Sequence, residues 1–480
     1  MKNLKEKTIN GLLWSFFESF SNKGIQLVVG IILARILDPK DFGLIGLTTI
    51  FITFSKSFTD SGLTSALIRK QDCTQKDYAT VFVFNLVIAV CIYFLIFIGA
   101  GFISRFFEEE QLKNILIVSS LGIVLQAFGA VQQSVFIKKL DFKLLTKISF
   151  TATLISGFIA IIMALNGFGV WSLVALFLGN LTIYTLLLWF FSKWKPSWLF
   201  DKNSFNELFG FGKNLLFSSL IAVGYNTVFR AVISKSFSIE QLGFFDRSNR
   251  FQLLISENFG SIINKVSYPS LSKITKKERL KNALSKLIKN SMFITFLAMF
   301  GLAAVAKPFI LVLIGEKWSE SIVYLQLLIF AGVFYPIHVI NINFLKVYGR
   351  SDLILKIELI KKLIAIPMLI ATAFISVKAM IVSMIILSMI ELFINGYYTQ
   401  KFINYTIREQ LLDIFPSFIL ASVMGILVYF IGGLFTQISW YSLFIQIVVG
   451  LVFVILVSEF LKQKEYLQVK KIIFEKLNSL

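Results

Sequence analysis

One histidine, seven prolines and two cysteines are spread over 480 residues. Cys73 falls in a polar segment and Cys91 inside an apolar one, which leaves neither a disulfide framework nor a Cys/His ligand set for a metal. Charge is also scarce, with 15% Asp, Glu, Lys and Arg against 56% hydrophobic residues. The longest polar stretches run to about twenty residues, which excludes a soluble catalytic or nucleotide-binding domain between them. The GxxxxGK[ST], HExxH, CxxC and GxSxG patterns are all missing. GFGK at 210–213 lacks the phosphate-loop spacing, so transport driven by bound nucleotide is excluded and no cofactor is implied. At a mean hydropathy of +0.79 the chain cannot hide its apolar surface in a water-soluble globule. Lipid has to be its solvent.

What the chain has instead is a succession of apolar runs of about 20 residues, the length a helix needs to cross a bilayer with every backbone amide paired internally. Fourteen are counted, near 11–36, 42–67, 79–104, 112–136, 143–165, 168–191, 211–236, 242–270, 288–313, 320–345, 352–376, 378–400, 412–433 and 439–461. The first follows Lys2, Lys5 and Lys7 but is too long for a signal peptide, carries Glu18 and Lys23, and reads as an uncleaved helix. The net charge of +20 would suggest nucleic acid in a soluble protein; here it follows membrane topology. With the N-terminus inside, 31 basic residues fall in cytoplasmic segments and about 8 outside, which predicts both termini in the cytoplasm. The basic run at 273–289 reads first as a topology determinant and second as a lipid-headgroup or partner site.

The chain repeats itself. LARILDPKDFGL at 33–44 aligns with ISKSFSIEQLGF at 233–244, an offset of 200 that places Gly43 over Gly243. A second match pairs 136–147 with 344–356 after a one-residue gap. Helices 1–6 and 7–12 therefore read as two copies of a six-helix unit; six being even, both copies insert the same way up, a pattern found in transporters with the substrate site between the halves. The expected fold class is an all-α integral membrane protein of 14 transmembrane helices: two six-helix lobes around a central cavity plus two C-terminal helices. The boundaries are 1–192 for the first lobe, 193–210 for a cytoplasmic linker carrying Trp194, Trp198, Phe200, Phe205 and Phe209, 211–402 for the second lobe, and 403–480 for the last two helices and a basic tail.

Ionised side chains cost several kcal/mol at the bilayer centre, roughly 3 or more on insertion scales, and here they recur in phase. On helix 1, Ser15, Glu18, Ser19, Asn22, Lys23 and Gln26 follow helical spacing; on helix 2, Thr49, Thr53, Lys56, Asp60 and Thr64 fall within about 80° of arc. On helix 8, Asp246, Arg250, Glu257, Ser261, Asn264 and Tyr268 fall within about 60°, flanked by Arg247 and Lys265. Three narrow stripes predict a shared, water-filled cavity; interhelical salt bridging is the plainer alternative. Arg230 on helix 7 joins Arg247 and Arg250 as a cationic group suited to a phosphate, because guanidinium pairs bidentately with such oxygens. Glu358 on helix 11 and Glu391 on helix 12, with Glu18, are candidates for ion coupling or for a structural pair. Lys361 and Lys362 read as topology and snorkelling residues, and His338, with no partner visible, as a packing residue. Pro336, Pro367 and Pro416 are kink candidates.

The stretches ILARILDPKDFGLIGLTTIF (32–51), FTDSGLTSALIRKQDCTQKDYATVFVFN (58–85), LGFFDRSNRFQLL (242–254) and YPSLSKITKKERL (268–280) resemble the bacterial polysaccharide flippases of the multidrug/oligosaccharidyl-lipid/polysaccharide exporter superfamily. The resemblance spans helices 1–9. It implies a cationic central cavity that alternates between inward-open and outward-open states. The implied cargo is a polyprenyl-pyrophosphate-linked oligosaccharide, moved from the inner to the outer leaflet of the bacterial cytoplasmic membrane for surface polysaccharide biosynthesis, driven by a proton or sodium gradient. Polysaccharide polymerase and glycosyltransferases are the implied partners. Asn22, Lys23, Gln26, Lys56, Asp60, Arg230, Asp246, Arg247, Arg250, Glu257, Asn264 and Lys265 would meet the headgroup. One departure stands at Phe229 and Arg230, where many relatives carry an acidic residue midway along helix 7. The alternatives are an ion-coupled multidrug exporter on the same fold, whose cavity should be acidic, and a membrane-embedded glycan polymerase or transferase, which should show a large outside loop.

Overall fold

The computed structural model describes residues 21–477 except 61, 71, 273 and 275; within this range the side chains of Asp60, Ser351 and Val469, and many in 211–226, 261–270 and 472–477, lie outside the description. The described residues are helical, without a strand. Among the described residues, ten helical stretches, one of them running through Glu320–Val347 across a break, are long and apolar enough to cross a membrane. The chain divides into two compact units, Met1–Gly243 and Phe244–Leu480.

In the first unit, α1 (21–36) is followed by α2 (Pro39–Asp60), the short α3 (Leu63–Arg69), α4 (Gln75–Phe106), α5 (Glu110–Lys138), α6 (Phe142–Leu165), α7 (Val170–Phe191) and α8 (Lys202–Ser236). The first residues of α9 (Ile239–Leu271) complete it. Apolar composition makes these segments helical in lipid, and local chemistry sets their ends. Thr74 caps α4 in a box with Asp77, and the Asp141 and Asp201 carboxylates accept the Leu144 and Ser204 amides at the starts of α6 and α8. The expected helix over 42–67 is broken in two, because Gly62 takes a left-handed φ of +69° and sits where a Cβ would lie 2.4 Å from the Gly212 carbonyl oxygen. The aromatic segment after α7 is clamped onto the start of α4. Trp194 donates to the Gln75 side chain at 2.8 Å, the Gln75 amide donates to the Lys195 carbonyl at 2.9 Å, and Trp194 and Trp198 pack edge-on to Phe82. Lys70 pairs with Glu207 at 2.8 Å and Asp77 at 3.1 Å, and the Glu207 carboxylate raises the ammonium's pKa above its ordinary value.

The second unit continues α9 and adds α10 (Lys277–Ala304), α11 (Ala306–Ile314), α12 (Glu320–Gly332), α13 (Tyr335–Val347), α14 (Ser351–Thr372), α15 (Val377–Ile403), α16 (Ile407–Gly433), α17 (Trp440–Phe460) and the amphipathic α18 (Lys464–Leu477). Helix α10 packs on α16, and α15 on α12, α13 and α14. Much of the basic run expected as a loop is helical from Lys277, since Leu280, Leu284, Ile288 and Met292 form a buried stripe on that face. Its Lys281 and Lys289 pair with Glu409 at 2.7 Å and Asp413 at 2.9 Å on α16. The apolar run over 320–345 is interrupted at Val333 and Phe334, with Pro336 in the first turn of α13, whereas Pro367 and Pro416 stay inside continuous helices.

The sequence repeat has a physical counterpart. A Cβ on Gly43 would lie 1.8 Å from the Ile239 carbonyl oxygen, and one on Gly243 would lie 2.0 Å from the Pro39 carbonyl oxygen. Pro39 and Ile239, like the two glycines, are 200 residues apart. The first turns of α2 and α9 therefore cross backbone to backbone through a pair of equivalent contacts, a close approach that only small residues permit. Nearby, Lys40 pairs with Glu109 at 3.0 Å and Lys235 with Glu108 at 2.7 Å, fastening this crossing to the α4–α5 turn. The Lys235 ammonium holds the Glu108 carboxyl below its usual pKa. Gly43→Val and Gly243→Val each force the crossing apart, lowering stability by about 1–3 kcal/mol as overpacking does. The double variant loses less than the sum, because both press on one contact. Thermal unfolding of the detergent-purified protein measures this.

Candidate functional site

The polar residues of α1 and α2 in the first unit have different surroundings. On α1, the Asn22 side-chain amide donates to the Ser149 hydroxyl of α6 at 2.7 Å, which spends it on helix packing. Lys23 is half-buried beside it and Gln26 is exposed. On α2, the stripe Ile45, Thr48, Thr49, Ile52, Thr53 and Lys56 lines a cavity of about 240 Å³ closed by Ser119 and Gln126 of α5 and Phe177 and Leu181 of α7. Thr48 and Thr49 donate their hydroxyl hydrogens to the carbonyls of Leu44 and Ile45, one turn back on the same helix. Arg230, on α8, is half-buried. Glu18 and the Asp60 side chain lie outside the described residues.

In the second unit, α9 turns Arg250 and Glu257 to an exposed face with Asp246 half-buried beside them. Arg247, one residue further round, is 4% exposed and rests its guanidinium 4.9 Å from the centre of the Phe251 ring. The structure thus separates Arg247 from the exposed stripe that holds Arg250. The side chains of Asn264 and Lys265 lie outside the described residues.

A buried polar cluster unites α13, α14 and α15. Lys361 on α14 is 8% exposed, and its ammonium donates to Glu358 at 2.7 Å and faces Glu391 of α15 at 3.6 Å. Glu391 in turn lies 4.0 Å from Nε2 of His338. The Asn395 amide donates to His338 Nδ1 at 3.3 Å, so the ring's proton belongs on Nε2, which faces the Ser388 hydroxyl at 3.4 Å. A second chain of hydrogen bonds adjoins it: Asn341 donates to Gln410 at 3.2 Å and Gln410 to Thr399 at 2.7 Å. Glu358 and Glu391, foreseen as a pair, are therefore joined through a lysine read as a snorkelling residue, and His338 has the partners that its sequence context did not reveal. Spacing of three and four residues could have hinted at the α15 side, where Ser388, Glu391 and Asn395 share one face. No group of three or more His, Cys, Asp or Glu side chains suited to a metal ion occurs among the described residues, and Cys73 and Cys91 are free thiols.

Ten apolar helical stretches of membrane length among the described residues define a multi-pass membrane protein. Residues 32–323 match the family model described as polysaccharide biosynthesis protein, and the chain belongs to that family. This agrees with the resemblance drawn from the motifs. A membrane protein of the cps region in Klebsiella pneumoniae is 26% identical over 383 residues, covering 76% of each chain. The lipopolysaccharide biosynthesis protein WzxC of Escherichia coli is 25% identical over 370 residues, covering 76% of this chain and 75% of that one. Among solved structures, the lipid II flippase MurJ in an inward closed conformation superposes with a TM-score of 0.74 over 94% of this chain and 99% of that chain, at 16% identity. The fold is shared at that level.

The Lys361 cluster makes a sharp expectation. Lys361→Met strands the Glu391 carboxylate in low-dielectric surroundings and lowers stability by about 3–5 kcal/mol, as removal of one partner from a buried ion pair does. Lys361→Met combined with Glu391→Gln recovers most of that loss in thermal unfolding, since no buried charge is then left uncompensated.

Proposed function

We propose that the protein is a flippase that moves a polyprenyl-pyrophosphate-linked oligosaccharide from the inner to the outer leaflet of the bacterial cytoplasmic membrane, for surface polysaccharide biosynthesis. The family membership supports the pathway. The neighbour of like fold is itself a lipid II flippase, and the relatives are named for polysaccharide regions and lipopolysaccharide biosynthesis. The observation that carries the reading is where the charges are: Arg250, Glu257, Lys56 and Lys361 all stand on membrane-length helices, and the connections between helices are too short to build a catalytic domain. Such a chain is fitted to pass a polar headgroup rather than to transform it.

In this reading the repeat units 1–192 and 211–402 act as two lobes that expose a cavity alternately to each side, with both termini in the cytoplasm. Arg230 and Arg250 attract the pyrophosphate, while Lys23, Gln26, Asp246 and Glu257 hydrogen-bond the sugars; Arg247, turned in against Phe251, and Asn22, bonded to Ser149, support these faces from behind. Asp60, Asn264 and Lys265 extend the same stripes. Export is driven by a proton or sodium gradient through Glu358 and Glu391, with Lys361 as the cation already in place between them, and Glu18 as a further candidate. Polymerase and glycosyltransferases act before and after it on the same lipid carrier. The bilayer supplies the path of the lipid tail.

Reconstitution in liposomes with a labelled lipid-linked oligosaccharide tests this. The wild type exposes the label to an external glycan-modifying enzyme, and Arg250→Ala slows that exposure by about tenfold or more, the cost of losing one charge-assisted contact to the diphosphate. Glu391→Gln abolishes its dependence on an imposed ion gradient. A wild type that moves no label removes the flippase reading.

A further inference from the structure

The cavity between α2, α5 and α7 has polar walls that the protein does not use. Among the described residues, Lys56 has no ion-pair partner, and the hydroxyl of Thr53, the hydroxyl of Ser119 and the amide of Gln126 make no hydrogen bond to the protein. Ser119 is 1% exposed, so its unspent hydroxyl costs free energy unless something in the cavity satisfies it. One buried hydroxyl without a partner, with the half-buried Thr53 and Gln126 and the exposed Lys56 around the same void, makes a site that a ligand can complete.

The wall chemistry identifies the class of ligand. Among the described residues, Lys56 is the one charged group lining the cavity and none of the lining residues is acidic, so the void favours an anion. Phosphate is poorly matched: its sites gather several cationic or backbone N–H donors, whereas here a single ammonium is set among hydroxyls and an amide. The opposite wall is apolar. Phe177 and Leu181 of α7 are pressed against α5 at Gly122, where a Cβ would lie 2.8 Å from the Phe177 ring. A pyranose has an apolar C–H face that packs on such a ring and hydroxyls at its edge that pair with Thr53, Ser119 and Gln126. The volume of about 240 Å³ leaves room for one sugar ring.

We infer that this cavity receives one carboxylate-bearing sugar of the headgroup, its carboxylate on Lys56 and its ring on Phe177, and that the protein therefore handles acidic glycans. This rests on the flippase reading for the identity of the headgroup.

Binding to the purified full-length protein in lipid nanodiscs, followed by saturation-transfer NMR, tests it with methyl glucuronide, methyl glucoside and inorganic phosphate as probes. Methyl glucuronide binds the wild type at least tenfold more tightly than methyl glucoside and is not displaced by equimolar phosphate. Lys56→Gln weakens the glucuronide about ten- to a hundredfold, the loss of one charge-assisted hydrogen bond, while Lys56→Arg stays close to wild type. Equal affinity for the two sugars, displacement by phosphate, or unchanged glucuronide binding in a folded Lys56→Gln overturns the inference. Selective glucuronide binding by a protein that flips no lipid-linked oligosaccharide overturns the flippase reading and leaves the acidic-sugar site standing.

Discussion

Backbone meets backbone where the first turn of α2 crosses the first turn of α9, and the α4–α5 turn is fastened to that contact through Lys40 and Lys235. Gly43 and Gly243 remove the side chains that would hold the helices apart, and each lies over the carbonyl of the residue equivalent to the other's neighbour, Ile239 and Pro39. In lipid there is no hydrophobic gain from joining two apolar helices, so close packing has to supply the attraction. The crossing also sets the starting point of the α2 stripe. Thr48, Thr49, Thr53 and Lys56 follow within the next turns, facing α5 and α7.

Charges are handled in three different ways along the chain. At the helix ends they pair with neighbours at the polar boundary, as Lys235 does with Glu108 and Lys281 with Glu409. Such pairs sit in high dielectric and contribute modestly. Deep in the second unit, Lys361 is enclosed between Glu358 and Glu391 with His338 beside them, an arrangement whose value lies in being complete. Lys56 represents the third way: a cation at a cavity whose walls, among the described residues, offer hydroxyls and an amide but no counter-charge. The first kind orients helices, whereas the other two are the features on which the proposals of ion coupling and of an acidic-sugar site rest.

Much of the fold is legible from apolar run length alone, because hydrocarbon leaves the backbone no alternative to the helix. The departures have local causes. Gly62 breaks the run over 42–67 through a left-handed turn against α8, and the amphipathic stripe Leu280–Leu284–Ile288–Met292 extends α10 into a segment whose lysines disguise it as a loop. The site was legible in proportion to charge. Periodicity marks Lys56 and Arg250, but it does not distinguish Arg250, which is exposed, from Arg247, which turns in against Phe251. Ser119, Gln126 and Phe177 escape sequence reasoning altogether, since isolated neutral residues in apolar helices leave no pattern; only packing brings them to Lys56.

The account stands on water reaching these polar faces inside a bundle that is otherwise immersed in lipid. Single cysteines at positions 53, 126 and 250, in a background lacking Cys73 and Cys91, measure it through their rates of reaction with a charged, water-soluble thiol reagent in native membranes. The account predicts fast labelling at all three, slowed by lipid-linked oligosaccharide, and negligible labelling at Phe190 and Phe393, whose rings point outward from apolar helices. Labelling of 53, 126 and 250 no faster than of 190 and 393 would contradict it.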